Sequence, residues 1–401
     1  MRLENLPSEF QEALPILKKI KSAGYQAYFV GGSVRDAFLG RSIHDVDIAT
    51  SSYPQETKAI FDKTIDVGIE HGTVLVLTEE GEYEITTFRT EDTYVDYRRP
   101  SQVQFVRSLE EDLKRRDFTI NALALSEDAE VVDLFNGLED LEAGLLRAVG
   151  VAQERFEEDA LRIMRGFRFQ STLGFDLEEQ TERAMAVCSP LLSKISVERI
   201  FIEFDKLLLG ANWQKALDSL LASKAYLYLP DLENQASALS QLGTYYPVNY
   251  KFGSSIAAWS AMLISIGPIQ VSSFLKKWKT SNEFSKAVSS VVELYQIRLE
   301  RAYHRRDIYF YDKELLKIAE ELRRARGLTV DFDQIDQLDS QLSIHSKQDM
   351  AISGSILIQK YGFESGPRLG SVLKKVELAL VDGLLENQED KIIDFIGDIN
   401  E

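Results

Sequence analysis

Two rhythms of apolar and polar residues divide the chain. Residues 11–21 place their apolar side chains three and four apart, as one face of a helix does, and residues 27–30 form a short apolar run that stops at Gly31-Gly32. Residues 45–49, 74–77 and 82–88 alternate instead, as strands with one buried face do, and turn residues at 79–81 part the last two. The chain to about residue 150 is therefore expected to mix strands and helices. From Glu154 onward the apolar spacing stays at three or four for long stretches, with breaks near Gly174, Pro190, Gly210, Pro230 and Gly267-Pro268. That predicts a string of helical modules, without low-complexity segments or a fixed-period repeat.

At 401 residues the chain exceeds what one core ordinarily serves, so about two to four structural units are expected. An apolar share of 44% beside 27% charged residues fits a soluble globular protein. The longest apolar run, 256–266, is broken by serines and falls short of the ~20 residues that cross a bilayer, so no membrane segment is expected. The first twelve residues lack the order of a secretory signal. The single cysteine, Cys188, cannot close an intrachain disulfide, which fits a reducing compartment and a cytoplasmic location. A net charge of −18 argues against a protein that coats nucleic acid through its phosphates, yet leaves room for a local basic face. His44, His71, His304 and His345 lack ligand spacing, and His44-Asp45 stands without the further histidines of a metal-dependent phosphohydrolase.

The chemistry is concentrated early. A predicted strand runs into Gly31-Gly32-Ser33-Val34-Arg35-Asp36, where two glycines at a helix start let backbone N–H groups approach a phosphate closely. Asp45-Val46-Asp47 follows, and two aspartates two apart on a strand project from one face, a pair of hard oxygen donors suited to Mg²⁺. Alone, the glycines could be an ordinary turn, Ser33 and Asp36 a helix cap, and the aspartates solvated charges; close together they favour a site. Glu84 shares its strand face with Glu82 and Thr86 and is a candidate third carboxylate for two metals about 4 Å apart. Neither a P-loop nor a dinucleotide-binding glycine pattern occurs.

Further on, Arg115-Arg116-Asp117 precedes the apolar stretch from Phe118, offering planar guanidinium recognition of phosphate or, in isolation, a solvated charge cluster. Asp133-Leu134-Phe135-Asn136-Gly137 reads equally well as a turn. In residues 157–168 the helical period puts Ala160, Ile163, Met164 and Phe167 on one face, with Arg162, Arg165 and Arg168 winding along the other beside Asp159. Like charges three apart disfavour an isolated helix, so this series implies an anionic ligand or nearby carboxylates.

In this order and spacing the motifs resemble the class II tRNA nucleotidyltransferase family, in its short bacterial CCA-adding type, whose members share a nucleotidyltransferase head with bacterial poly(A) polymerases. The motifs cover the first ~175 residues. The resemblance implies an α+β nucleotidyltransferase head over 1–150, then an all-α neck (151–210), body (211–300) and tail (301–401), the last prefigured by Gly366-Pro367-Arg368-Leu369-Gly370. It implies that Asp45 and Asp47 hold Mg²⁺ with Glu84 beside them as catalytic carboxylates. Gly32, Arg35 and Arg116 would contact the incoming ATP or CTP, Asp117 its ribose, and Asp159, Arg162, Arg165 and Arg168 its base and phosphate side.

Asp159 and Arg162, one helical turn apart, would act as a protein template. Cytosine and adenine both present an amino donor beside a ring-nitrogen acceptor, matching a carboxylate and a guanidinium. Uracil and guanine would leave groups unpaired, costing about 1–3 kcal/mol each. The expected activity is template-independent addition of CCA to the tRNA 3′ end with release of diphosphate. The expected partner is tRNA, on its acceptor stem and T-arm side, and a homodimer is expected. Basic clusters at Lys276-Lys277-Trp278-Lys279, Arg305-Arg306 and Arg323-Arg324 could meet tRNA phosphates or solvent. Residues 89–100, rich in both charges, are expected to form a solvated loop that serves addition of the final A. The alternatives are a CC-adding enzyme, a poly(A) polymerase, or a non-catalytic RNA- or nucleotide-binding protein that kept the fold.

Overall fold

The structure is a computed structural model that describes residues 2–79, 81–91, 94–95, 99–100 and 103–398. They form two compact units, one of residues up to Gly243 with Lys277–Lys279, the other of Thr244–Lys276 with the remainder.

The first unit opens with α1 (Ser8–Ser22), whose Phe10, Ala13, Ile16, Leu17 and Ile20 are buried at helical spacing. Then come β1 (Ala27–Val30), α2 (Gly32–Phe38), β2 (Asp47–Thr50), α3 (Pro54–Ile60), β3 (Thr64–Gly68), β4 (Thr73–Leu77) and β5 (Glu82–Thr87). Four short strands follow, β6 (Arg89–Glu91), β7 (Tyr94–Val95), β8 (Arg99–Pro100) and β9 (Val103–Phe105), and after them α4 (Leu109–Lys114), β10 (Leu123–Leu125), β11 (Val131–Asp133) and α5 (Gly137–Ala143). Seven strands make one sheet in the order β11-β10-β1-β2-β5-β4-β3.

Every pairing in this sheet is antiparallel except that of β2 with β5, where Ile48 lies opposite Ile85. One step earlier on each strand stand Asp47 and Glu84, so the parallel joint brings the two carboxylates together. On its other side β2 pairs with β1 through Val30 and Asp47, which sets the Gly31 turn beside the same carboxylate. Under the sheet, Val30, Ala49, Phe88 and Ala124 pack with Leu109 and Leu113 of α4.

Three expectations are corrected. Asp45 is not on a strand: β2 starts at Asp47, because Gly31, with φ of 77°, turns β1 out of the ladder and leaves nothing for Asp45 to pair with. The segment 89–100, expected as a solvated loop without strand period, carries short strands where it is described, since β6 pairs with β9 and β7 with β8; residues 92–93 and 96–98 lie outside the described residues. The helix expected across 157–168 is two helices, α6 (Ala152–Glu158) and α7 (Leu161–Leu173). Between them Asp159 is extended (φ −137°, ψ 102°), and its Oδ1 accepts the Leu161 N–H at 3.0 Å, a side-chain bond that competes with the helical one. Asp159 nonetheless stays one turn from Arg162, whose backbone N–H donates to the Asp159 carbonyl at 3.0 Å. The apolar face of α7 is as expected, with Ala160, Ile163, Met164 and Phe167 buried. The unit is completed by α8 (Glu179–Cys188), α9 (Val197–Leu209) and α10 (Trp213–Ala222), of which α9 and α10 pack on α7.

Beyond α11 (Ala236–Tyr245), which reaches both units, the second unit is helical: α12 (Ser255–Ile266), α13 (Val271–Lys277), α14 (Asn282–Glu300), α15 (Arg305–Phe310), α16 (Lys313–Ala325), α17 (Phe332–Ser340), α18 (Gly354–Tyr361), α19 (Pro367–Asp382) and α20 (Glu389–Asp398). Among the described residues no single helix is long and apolar enough to cross a membrane. Helix α12 is apolar nearly all round because it is buried nearly all round, from Ala257 to Ile264. Beside it, α14 and α16 are joined by an ion pair between Arg298 Nε and the fully buried Glu320 (2.7 Å).

The Asp133 to Gly137 run proves to be a capped turn. Asp133 Oδ1 accepts the N–H groups of Phe135 (3.2 Å) and Gly137 (2.9 Å), and Oδ2 that of Leu138 (2.9 Å). A Cβ on Gly137 would stand 2.3 Å from the Thr119 carbonyl oxygen. Gly137→Ala is therefore expected to destabilise the first unit by about 2–3 kcal/mol, read as an earlier urea transition; a wild-type midpoint would contradict this packing.

Candidate active site

The site begins at the turn after β1. A Cβ on Gly31 would lie 3.3 Å from Asp47 Oδ2 and 3.4 Å from Arg116 Nη1, and φ is positive, so both space and backbone call for glycine. Ser33 is used internally, its hydroxyl donating to the Val30 carbonyl at 3.1 Å. The Asp47 carboxyl opens into the cavity but is walled by protein. That burial pushes its pKa up, Arg116 pulls it down, and the like charges of Glu84 and Asp45 push it up again. Among the described residues, no three His, Cys, Asp or Glu side chains converge tightly enough to hold a metal by themselves. Glu84 and Asp45 act on Asp47 as neighbouring like charges.

Facing these carboxylates is a wall of arginines around a cavity of about 1220 Å³, lined by ten Lys and Arg side chains and four Asp. That excess of positive charge, focused by low-dielectric walls, attracts polyanions even in an acidic chain. Each lining arginine is aimed by a partner. Arg35 donates Nε and Nη2 to the two oxygens of Asp36 (2.9 Å each) and Nη1 to Asn121 Oδ1 (2.7 Å). Arg116 donates Nη2 to Asp112 (3.2 Å) and Nη1 to the Asn121 carbonyl (3.2 Å), leaving its buried Nε without a partner. Arg165 donates Nε and Nη2 to Asp117 Oδ2 (2.7 and 2.6 Å). Arg168 pairs with Glu203 at 3.0 Å. The Phe169 ring collects three guanidiniums at 4.2 Å (Arg168), 5.2 Å (Arg35) and 5.3 Å (Arg165) from its centre. Burial and the neighbouring Arg165 lower the pKa of Arg168, the mark of cations crowded where an anion belongs.

Asp159 and Arg162 also line the cavity. Asp159 Oδ2 accepts from Arg199 Nη2 at 2.6 Å. Arg162, 7% exposed, donates Nη1 to Glu158 (2.6 Å) and to the Arg155 carbonyl, and Nη2 to the Arg115 carbonyl (2.7 Å). The cavity thus gathers Gly32, Arg35, Asp47, Arg116, Asp117, Asp159, Arg162, Arg165 and Arg168 from the expected set. Asp45 and Glu84 lie beside Asp47 but do not line it. Sequence reasoning missed Arg199, Glu203, Asn121, Asp112 and Phe169. Only their tertiary placement reveals them; Arg199, for one, is an ordinary first-turn residue of the amphipathic α9.

Within the three basic clusters expected near RNA, several side chains have internal partners. Lys277 pairs with Asp231 (2.7 Å) within the first unit. In the second unit Arg306 pairs with Asp382 (2.6 Å), Arg305 donates to the Asp382 carbonyl (2.8 Å), and Arg323 is buried beside Glu320.

Comparison with known proteins places this geometry. The Poly A polymerase head domain family matches residues 27–147, the family described as "Probable RNA and SrmB- binding site of polymerase A" matches 174–235, and tRNA nucleotidyltransferase domain 2 matches 250–396. A CCA-adding enzyme of Streptococcus sanguinis is 62% identical over 99% of both chains. The Bacillus stearothermophilus CCA-adding enzyme, solved in complex with CTP, is 38% identical over 98% of both chains with a TM-score of 0.89. The Thermotoga maritima CCA-adding enzyme, solved with tRNA, shares the fold at 22% identity (TM-score 0.64, 100% of this chain and 97% of that one).

Asp117 offers a check by pH. Burial alone would raise its carboxyl, but Arg165, the Asn121 amide and the Phe118 N–H together hold it well below the usual range. A depressed folded pKa gives stability that is complete above the unfolded value, about 3.9, and is lost as pH falls below it. Asp117→Asn is expected to be less stable than wild type at pH 7, with the gap closing below about pH 4. Urea titrations from pH 7 to 3 measure this, and a pH-independent gap would remove the ionised Asp117 from the site's support.

Proposed function

The chain belongs to the CCA-adding enzyme family of tRNA nucleotidyltransferases, and from that premise we propose that it adds C, C and A to tRNA 3′ ends from CTP and ATP without a nucleic-acid template. One observation carries the reading: the carboxylate edge at Asp47, the arginine wall and the Asp159–Arg162 pair all line a single cavity. In each cycle the terminal ribose hydroxyl of the RNA gives up its proton to solvent, its oxygen bonds to the α-phosphorus of the nucleotide, the α–β phosphoanhydride bond breaks, and diphosphate leaves with its electron pair.

A divalent cation, which we take to be Mg²⁺, would be held by Asp45 and Asp47 and would supply charge neutralisation at the α-phosphate and activation of the attacking hydroxyl. The fit rests on like charge: Asp45, Asp47 and Glu84 crowd together with Arg116 as the cation acting on Asp47. Arg116, Arg35 and the backbone at Gly32 hold the triphosphate, while Asp117 receives the ribose and keeps Arg165 in place. Asp159 accepts from the base amino group and Arg162 donates to the ring nitrogen. Its anchors at Glu158 and two carbonyls make Arg162 a fixed donor, so selectivity comes without reordering cost. Beyond the head, we assign residues 151–210, 211–300 and 301–401 to a neck, a body and a tRNA-binding tail that meets the acceptor stem and T-arm side. We further propose a homodimer acting in the cytoplasm.

Incubation with tRNA lacking CCA and each nucleoside triphosphate, singly and combined, is expected to yield C, C and A only. Termination after CC, a run of A, or no addition would each point to one of the alternatives. In that assay Asp45→Ala and Asp47→Ala should abolish addition while tRNA affinity stays within about twofold, since these carboxylates serve the metal and not the RNA body. A second outcome concerns selection. Asp159→Ala or Arg162→Ala should admit UTP or GTP, and loss of rate with unchanged choice of C and A would remove these residues from base reading.

A further inference from the structure

Behind the arginine wall lies a carboxylate that the reaction does not use directly. Asp112, on α4, is 1% exposed and does not line the cavity, yet three residues that do line it converge on its two oxygens. Oδ1 accepts from Arg115 Nε (3.0 Å) and Nη2 (2.7 Å) and from the backbone N–H of Arg89 (3.4 Å), the first residue of β6. Oδ2 accepts from Arg116 Nη2 (3.2 Å). The carbonyl of Arg115 in turn accepts from Arg162 Nη2. Helix α4 is itself fixed, with Leu109 and Leu113 in the core beneath the sheet and Ser108 capping its first turn. Asp112 is therefore immobile where the arginine side chains, by their own torsions, are not.

We propose that Asp112 is a positioning residue that aims Arg116 at the nucleotide's phosphates and ties that aim to the start of β6 through the Arg89 N–H. The inference rests on the cavity being the nucleotide site. A carboxylate needed only for charge balance would be satisfied by one guanidinium; this one takes two, plus a backbone donor, from three cavity-lining residues. Holding an arginine in its working rotamer before the ligand arrives removes an ordering cost from binding, so losing the hold appears in nucleotide KM more than in kcat.

The test is steady-state addition to tRNA lacking CCA by wild type, Asp112→Asn, Asp112→Glu, Arg116→Ala and the Asp112→Asn/Arg116→Ala double variant, with thermal melting of each. Asp112→Asn should raise KM for both CTP and ATP about tenfold with kcat within about threefold. Adding it to Arg116→Ala should change little further, because both act through one side chain. Asp112→Glu keeps the buried charge but moves it by one methylene, so it folds if charge balance is all that folding needs, and it should still raise KM. Should Asp112→Asn fail to fold, Asp112→Glu and Arg116→Ala carry the comparison. Wild-type KM in Asp112→Asn or Asp112→Glu, or additive losses in the double variant, would overturn the assignment. A wild-type chain that adds no nucleotide overturns the proposed function with it, whereas active wild type and indifferent Asp112 variants overturn the positioning role alone.

Discussion

Nine guanidiniums line one cavity, and the seven nearest its carboxylates cannot share it unless something holds them apart and aimed. Here six carboxylates stand behind them: Asp36 behind Arg35, Asp112 behind Arg115 and Arg116, Asp117 behind Arg165, Glu158 behind Arg162, Asp159 behind Arg199 and Glu203 behind Arg168. Each pair is at least partly desolvated, where removing one member leaves a costly orphan charge. The folding of this unit and the shape of its cavity are consequently one problem. The junction between α6 and α7, the N-terminal turn of α9 and the C-terminal turn of α4 must all reach their places for the charges to be paired.

That interdependence explains what could be read from the chain before its structure. Local patterns carried well: β1 ending at Gly31-Gly32, the alternation in β5 that exposes Glu84 and buries Tyr83 and Ile85, and the apolar face of α7 all express periods contained within one element. The bases for error were equally specific. Asp45 alternates properly with Asp47, but the ladder it would join has already been ended by the backbone of Gly31. Asp159 fits the helical period on both sides, yet its own carboxylate captures the Leu161 N–H and interrupts the helix. Arg199 and Glu203 carry no local mark, because their meaning lies in α9 packing on α7.

Charge balance tells a related story. The chain as a whole is strongly acidic, while its cavity is strongly basic, and in the second unit several basic side chains are spent on internal pairs such as Arg298 with Glu320 and Arg306 with Asp382. Net charge and local field thus point in opposite directions. The global repulsion disfavours indiscriminate adhesion to polyanions, and the focused field rewards a phosphate chain that enters the cavity. Discrimination of this kind needs no sequence reading on the part of the protein.

The order of strands in the sheet has a consequence for the making of the molecule. β1 and β2 leave the ribosome before their later partners, but the flank of β1 is closed only when Phe29 meets Leu125 of β10, and the flank of β2 only when Ile48 meets Ile85 across a parallel crossover. Until then the sheet's centre offers open edges, the features most prone to pairing with another chain. Such non-local pairing is slow, and synthesis delivers its partners late. The interval between the emergence of β2 and that of β10 is the period in which the nascent chain is most vulnerable to aggregation.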